Sequence, residues 1–176
     1  MLCFIQRYGA VPQDAIWHKK GEEMNSEASI ENYLQESKIP LRLSCVMESG
    51  WPVVLSLWYL FEEGSLFCAT PEHARVVAYL LAEPRCSFEV ASDQPPYCGV
   101  RGRAVATIDH DRGVEILERL LCRYLGDANN PLAKKLLGRP GPEVAIRLDP
   151  QNFFIWNFTD RMADSLASKS AKVCPG

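Results

Sequence analysis

The sequence predicts a mainly β protein with flanking helices. Short segments that alternate between apolar and polar residues recur along the chain, as is typical of strands, and a few longer segments carry apolar residues at helical spacing. Glycine, proline and asparagine separate these segments. The strongest signal is the segment 51–75, which reads WPVVLSLWYLFEEGSLFCATPEHAR.

Segment 51–75 predicts two strands followed by a helix. Residues 51–61 are almost uninterrupted apolar sequence, which favours a strand buried on both faces. The Glu-Glu-Gly sequence at 62–64 predicts a tight turn, and residues 65–69 would be the hairpin partner. Thr70 and Pro71 predict that a helix begins there, because a hydroxyl caps free amides and proline lacks the N–H that would be unpaired.

The predicted helix start at Thr70 has two interpretations. Its free N–H groups and the helix dipole favour an anion such as phosphate, and Arg75 places a basic side chain one turn into the helix. Glu72 already supplies a carboxylate to the same turn, which favours an ordinary capped helix. The residues alone leave both interpretations open.

The remaining elements are read from the same patterns. Strands are predicted over 41–47, 86–90, 100–108, 144–148 and 153–158, the last two separated by a turn at 149–152. Helices are predicted over 26–39 and 71–82, then from a cap at Asp109 or Asp111 to Gly126, and from Pro131 to Gly138. In the 71–82 helix the predicted buried side chains are Val76, Val77, Leu80 and Leu81.

Composition and charge exclude several classes of protein. The chain has 176 residues, the size of one domain, and its net charge of −3 gives no general attraction to nucleic acid or to anionic membranes. It has no run of eighteen apolar residues and no signal-peptide pattern. Seven cysteines without CxxC spacing and three dispersed histidines predict reduced thiols in the cytoplasm, with neither a disulfide framework nor a metal site.

The sequence carries no motif for protein-based catalysis. It has no GxSxG elbow, Walker loop, HExxH or GxGxxG after a strand. Asp109 and Asp111 lie close together at a helix start, where capping explains them best. If the protein is an enzyme, a bound cofactor is expected to carry the chemistry.

Several motifs in a fixed order resemble the pyridoxamine 5'-phosphate oxidase-like family of FMN-binding split barrels. They are Leu57-Trp58-Tyr59, a glycine turn, Leu66-Phe67-Cys68-Ala69-Thr70, Arg75 in a helix, Glu83-Pro84-Arg85, Pro95-Pro96-Tyr97 and Gly99-Val100-Arg101-Gly102-Arg103-Ala104. The similarity runs over 39–156. It implies an antiparallel six- to seven-stranded split β-barrel that forms a homodimer, with FMN in two interface clefts contacted by both chains.

The resemblance also implies which residues hold the cofactor. The strand before the glycine turn would run beside the isoalloxazine ring, and the following segment would approach the phosphate. Trp156 resembles a tryptophan near the end of family members, which either closes the cleft from the partner chain or is a core or dimer-contact aromatic. The implied cofactor-binding residues are Leu55, Ser56, Leu57, Trp58, Ala69, Thr70, Arg75 and Trp156.

The chain departs from the true oxidases of that family. They place basic residues where this chain has Val54 and Tyr59, a serine where it has Ala74, and a lysine where it has Val76. They also close on an arginine-and-histidine pattern, whereas no histidine follows Arg161. Vitamin B6 oxidation is therefore not predicted.

The sequence leaves three functions open. The first is an FMN-dependent oxidoreductase with an unknown small-molecule substrate. The second is a split-barrel interaction module that has lost the flavin, and the third is a relative that uses F420 or haem. The predicted organisation is a flexible extension over 1–25, the FMN-binding split-barrel domain over 26–160, and a mobile tail over 161–176, with Met24 as a candidate natural start.

Overall fold

The computed structural model describes residues 27–126 and 130–163. The elements of this part are α1 (Glu27–Glu36), β1 (Leu41–Val46), β2 (Pro52–Leu57), β3 (Leu60–Glu62), β4 (Ser65–Pro71), α2 (Arg75–Ala82), β5 (Arg85–Ala91), β6 (Cys98–Asp109), α3 (Gly113–Leu125), α4 (Pro131–Leu137) and β7 (Glu143–Asn157). The predicted N-terminal extension, the candidate start at Met24 and the tail beyond residue 163 lie outside the described residues.

The seven strands form one antiparallel sheet in the order β2-β1-β5-β6-β7-β4-β3. Three of the helices pack against it: α1 against β3, α2 against β1 and β6, and α3 against β3, β4 and β7. The shorter helix α4 packs against α3. This arrangement confirms the predicted fold class, a mainly β chain with flanking helices and seven strands.

Strand β7 corrects one prediction. The turn expected at 149–152 is absent from β7, which is continuous from Glu143 to Asn157. The irregularity is a β-bulge, because Arg103 pairs with Asn152 while the next residue, Ala104, pairs with Pro150. The pairing of β7 with β4 ends at Leu148, so the missing N–H of Pro150 interrupts no ladder on that side.

The long apolar segment is divided, and its first half is not buried. Residues 51–61 form β2 and β3 with a break at Trp58 and Tyr59. Strand β2 is the edge strand of the sheet, and the side chain of Val54 on it is 64% exposed. The prediction of a strand buried on both faces is therefore wrong for β2. It describes β4 instead, because the barrel interior covers one face of β4 and α3 covers the other.

The predicted helix start is also wrong. Thr70 and Pro71 belong to β4, where they pair with Val144 and Glu143. Helix α2 begins at Arg75, and its N-cap residue Ala74 has no side-chain oxygen to accept a bond from the first amides. The ladder with β7 holds the chain extended through Pro71, so the helix cannot begin until the following turn has reversed the chain.

The core has two layers. The barrel interior contains Leu34 of α1, the side chains that β1 and β5 point inward, and a T-shaped contact between Phe88 and Phe153 at 6.0 Å. The predicted inward residues of α2 are buried except Leu81, which is 64% exposed. A second layer lies under α3, where Ile116 and Leu120 contact the outer face of β4 and β7.

The described cysteines are free thiols, and three of them are buried. Burial raises the pKa of Cys86 to about 12 and also raises the pKa of Cys45 and of Cys68. These thiols therefore pack as small apolar side chains. Across 27–126 and 130–163, no helix is long and apolar enough to cross a membrane.

Two glycines permit close packing between elements. A Cβ on Gly102 would overlap the backbone carbonyl oxygen of Asn152 and lie 2.7 Å from Cζ of Phe88, so this position of β6 leaves room for the neighbouring strand and for that ring. A Cβ on Gly113 would overlap the backbone carbonyl of Glu143. Helix α3 therefore begins in direct backbone contact with the start of β7.

We expect Gly113→Ala to lower the free energy of unfolding by about 1–3 kcal/mol, the typical cost of overpacking a site that cannot relax. Chemical denaturation measures this change. Gly138→Ala is the matched control, because its Cβ would meet one backbone oxygen at 3.1 Å, and it should change stability by less than about 1 kcal/mol. Equal effects of the two substitutions would contradict the close contact at Gly113.

Candidate functional site

A cavity of about 260 Å³ lies where the sheet is open between β2 and β4. Strand β2 pairs with β1 alone, and β3 covers β4 only as far as Phe67. The end of β2 and the second half of β4 therefore each leave one edge without a strand partner in the described chain, and both edges border the cavity. The lining residues are Ser56, Leu57, Trp58, Ala69, Thr70, Pro71, Leu117, Leu120, Leu136, Arg139 and Glu143.

Trp58 is held in the wall of this cavity by its neighbours. Its ring stacks on Tyr124 of α3, with centroids 4.9 Å apart and planes 8° from parallel. The backbone N–H of Tyr59 donates to the Tyr124 hydroxyl at 3.3 Å, which fixes the break between β2 and β3. The aromatic wall is therefore built before any ligand binds.

Tyr59 itself points away from the cavity into the core. Its side chain is fully buried, and its hydroxyl donates to the carbonyl of Leu34 at 2.9 Å and lies 3.2 Å from that of Ser37. Arg123 donates to the same two carbonyls. Burial raises the pKa of Tyr59, so the phenol stays neutral and ties α1 to the barrel.

The polar groups of the cavity are few. Thr70 is 8% exposed, and Ser56 presents its hydroxyl from the edge strand. Arg139 and Glu143 are the charged lining residues. Burial raises the pKa of Glu143, and the positive charges of Arg139 and His73 oppose that rise. The rest of the wall is apolar, apart from backbone atoms at the strand edges.

The structure brings together five of the eight residues predicted to hold a cofactor: Ser56, Leu57, Trp58, Ala69 and Thr70 line one cavity. The other three lie elsewhere. Leu55 packs against the barrel interior, and Arg75 is exposed at the start of α2, which packs against β1 and β6. Trp156 lies opposite Gly99 against Phe158, and its buried Nε1 has no hydrogen-bond partner among the described residues.

Several lining residues were not predicted from the sequence. Leu117 and Leu120 have the helical spacing of core residues, and this pattern does not distinguish a core from a cavity wall. Arg139 lies in the sequence GRPGP after α4, which carries no motif. The only available signal was the position of α3 and α4 between β6 and β7, which brings them over the open edge of β4.

A second concavity lies on the outer face of the sheet and has a volume of about 380 Å³. On this face one row of residues crosses five strands in register, from Ser56 through Arg42, Glu89 and Arg101 to Phe154. The next row runs through Val54, Ser44, Ser87, Arg103 and Asn152. Because Ser56 also lines the first cavity, the outer face continues directly into it.

Within the described ranges, no group of three or more histidine, cysteine, aspartate or glutamate side chains is placed to hold a metal ion. The described part of the cavity offers a ligand an apolar wall, the hydroxyls of Ser56 and Thr70, and the charged side chains of Arg139 and Glu143.

Solved structures with the same fold share little sequence with this chain. A conserved hypothetical protein from Mycobacterium tuberculosis is 23% identical with a TM-score of 0.61, and the match covers 75% of this chain and 84% of that protein. An F420 reductase is 22% identical with a TM-score of 0.59, covering 70% and 94%. A haem storage protein from Vibrio cholerae is 21% identical with a TM-score of 0.57, covering 73% and 93%.

Flavin proteins have this fold as well. A candidate pyridoxamine 5'-phosphate oxidase from Listeria innocua is 15% identical with a TM-score of 0.55, covering 73% of this chain and 95% of that one. FAD-binding proteins from Mesorhizobium loti and Mycobacterium smegmatis match with TM-scores of 0.53 and 0.52. No protein-family model matches the chain, and no curated protein matches it in sequence.

Fold and comparisons together define the class of protein. The chain is a split β-barrel with flanking helices. More particularly, it has the fold of the pyridoxamine 5'-phosphate oxidase-like split barrels, as the sequence motifs predicted.

The raised pKa of Glu143 predicts a pH-dependent effect on stability. Between the ordinary value of 4.5 and the raised value, the folded state binds more protons than the unfolded state, so stability falls as pH rises through this window. Glu143→Gln should therefore raise the melting temperature by about 1–2 °C at neutral pH, after allowance for solvent screening, and by nothing near pH 4.

Calorimetric melts at the two pH values measure this effect. Glu118→Gln is the control, because Glu118 is an exposed residue of α3 outside the cavity. A Glu143→Gln gain that is as large near pH 4 as at neutral pH would show that the effect does not come from the carboxylate charge.

Proposed function

We propose that the protein binds a flavin-type cofactor, FMN, in the cavity between β2 and β4 and acts as an FMN-dependent oxidoreductase of the pyridoxamine 5'-phosphate oxidase-like type. The observation that carries this proposal is the convergence of Ser56, Leu57, Trp58, Ala69 and Thr70 at one cavity. These five residues come from two segments separated by a hairpin, and the resemblance had implied all of them as cofactor neighbours.

The residues of the cavity fit a flavin. A planar aromatic ring has apolar surface for Trp58, Leu117 and Leu120, and its polar edge needs donors and acceptors in a plane. Backbone groups at the free edges of β2 and β4 supply such partners, together with the hydroxyls of Ser56 and Thr70. When bound, the flavin would supply electron transfer, while these residues orient the ring and exclude water from it.

The lining residues also distinguish between the other two candidate cofactors, F420 and haem. F420 is the stronger alternative, because an F420 reductase shares the fold and a deazaflavin presents a similar planar ring. A haem storage protein also shares the fold. The described lining residues include no histidine, cysteine, methionine or tyrosine, which are the usual axial ligands of haem iron, so this lining favours a flavin over haem.

The remaining alternative is an interaction module without a flavin. It is favoured by the positions where true oxidases carry basic residues. Here Tyr59 and Val76 are core residues, and Val54 lies on the outer face. The module and the flavoprotein differ in one readily measured property, the binding of a coloured ligand.

The proposal includes a homodimer, and two observations support it. A volume of about 260 Å³ is smaller than the roughly 300–1,000 Å³ of ordinary small-molecule sites, so a ligand of the size of FMN would extend beyond the cavity of one chain. The outer face continues into the cavity at Ser56 and exposes Val54 and Phe154, which are 64% and 51% accessible. A second chain on this face would bury that apolar surface and reach the rim of the cavity.

The flavin proposal predicts that the purified protein, mixed with FMN and freed of excess, retains stoichiometric flavin with its two visible absorption bands. Trp58→Ala should weaken FMN binding about tenfold, because it removes the aromatic wall. Trp51→Ala is the matched control, since Trp51 is 72% exposed and outside the lining. A wild-type protein that stays colourless would refute the proposal and favour the interaction module.

The dimer proposal predicts a dimer at micromolar concentration in sedimentation velocity. Phe154→Asp should shift the protein toward monomer, because it places a charge in the apolar part of the outer face. Leu81→Asp is the control and should leave the dimer unchanged, because Leu81 is also accessible, at 64%, but lies on α2 outside that face. A wild-type monomer, or a Phe154→Asp dimer as tight as the wild type, would contradict this interface.

A further inference from the structure

Among the described residues that line the cavity, Arg139 is the one cation. It follows the C-terminal end of α4, where the carbonyl ends of the helix favour a positive charge. Its side chain is exposed at the rim, next to the apolar wall formed by Leu136 and Leu117. A ligand seated against Trp58 would therefore have a guanidinium within the same enclosure.

The positive charge of Arg139 opposes the rise in the pKa of Glu143, but no described side chain holds its guanidinium. Across the described ranges, no side-chain hydrogen bond and no ion pair involves it. The arginines of α3 differ in this respect: Arg112 pairs with Glu115, Arg119 with Glu62 and Glu115, and Arg123 donates to two backbone carbonyls. Those three guanidinium groups stabilise the fold, whereas that of Arg139 is free to bind a ligand.

The other charge of the cavity does not cancel Arg139. Glu143 forms no ion pair with it, and burial makes the charged form of this carboxyl less favourable, as its raised pKa shows. Arg75, which the resemblance assigned to the phosphate, is exposed on a helix that packs on β1 and β6 and contributes nothing to the lining.

We infer that Arg139 is the anion-binding residue of this cavity, and that it holds the phosphate or another oxyanion of a ligand whose planar part lies against Trp58. This inference rests on the proposed function for its planar ligand, but it assigns a residue that neither the resemblance nor the fold assigned. The oxyanion has two sources, the phosphate of the cofactor itself or an anionic group of the substrate.

The test compares FMN with riboflavin, which lacks the phosphate. Fluorescence titrations are made with the wild type, Arg139→Met, Arg75→Met and Lys135→Met, the last being an exposed cation of α4 outside the lining. If Arg139 holds the cofactor phosphate, the preference for FMN over riboflavin falls about tenfold in Arg139→Met alone, the size of one charge-assisted hydrogen bond. Riboflavin affinity itself should stay unchanged.

A second titration distinguishes the substrate as the source. Flavin-loaded protein is titrated with inorganic phosphate, and the flavin absorption reports binding. If Arg139 holds a substrate anion, phosphate perturbs the spectrum of the wild type and of Lys135→Met but not of Arg139→Met, while the preference for FMN is the same in all four proteins. The inference is overturned if Arg139→Met has the same FMN preference and the same response to phosphate as the wild type. It is also overturned if Arg75→Met alone loses the preference for FMN.

Failure of the proposed function gives a different result. If the wild type binds neither FMN nor riboflavin, the flavin proposal is refuted, and flavin-free protein is then titrated with pyrophosphate in a calorimeter. Heat of binding that is present in the wild type and in Lys135→Met and absent in Arg139→Met would support an anion site at Arg139. Equal heats in the three proteins, or none in any of them, would overturn it.

Discussion

The continuous pairing of β7 is the constraint on which the rest of the structure depends. This strand of fifteen residues pairs with β6 from Ala145 to Asn157 and with β4 only from Glu143 to Leu148. The bulge at residue 151 lies just beyond the point where β4 ends, and it lets one strand belong to both halves of the barrel. Because β7 joins the halves on one side only, β2 and β4 keep free edges on the other. The candidate site lies between those edges.

The chain between β6 and β7 encloses that site. It leaves the sheet at Asp109 and returns at Glu143, and α3 begins in backbone contact with Glu143 because Gly113 has no side chain. The helix is thereby fixed over β4 and β7, with Ile116 and Leu120 in the second core layer and Tyr124 stacked on Trp58. The same contacts that pack the helix on the sheet therefore also shape the wall of the cavity.

The sequence predicted what depends on local pattern and missed what depends on pairing between distant segments. Alternation identified β1, β5 and β6, and asparagine and glycine marked the ends of α4. The same reasoning placed a helix at Thr70, because its cap and proline are genuine local signals. The pairing of these residues with Val144 and Glu143 overrides those signals. The partners lie more than seventy residues away in the sequence, so no local pattern contains them.

The candidate site, like the fold, was predicted where local motifs define it and was missed where distant segments form it. The five predicted lining residues lie on β2, on β4 and at Trp58 directly after β2, in the motifs that carried the resemblance. Leu136, Arg139 and Glu143 reach the cavity because the connection between β6 and β7 folds back. The outer face is a second example of what local pattern cannot predict. Alternation indicated that Arg101 and Arg103 share a face, but the rows that continue through Glu89 to Arg42 and Ser56 follow from strand order.

Two of the substitutions that separate this chain from true pyridoxamine-phosphate oxidases, at Tyr59 and Val76, cannot be reversed singly. Tyr59 is fully buried and bonded to the carbonyl of Leu34, and Val76 is 7% exposed in the barrel core. A lysine at either position would bury a charge without a partner, which costs several kcal/mol. The core has therefore taken over positions that the oxidases use for basic residues. An anion-binding cation in this chain is therefore expected outside the core, and the connection after α4, where Arg139 is exposed at the rim of the cavity, is such a place.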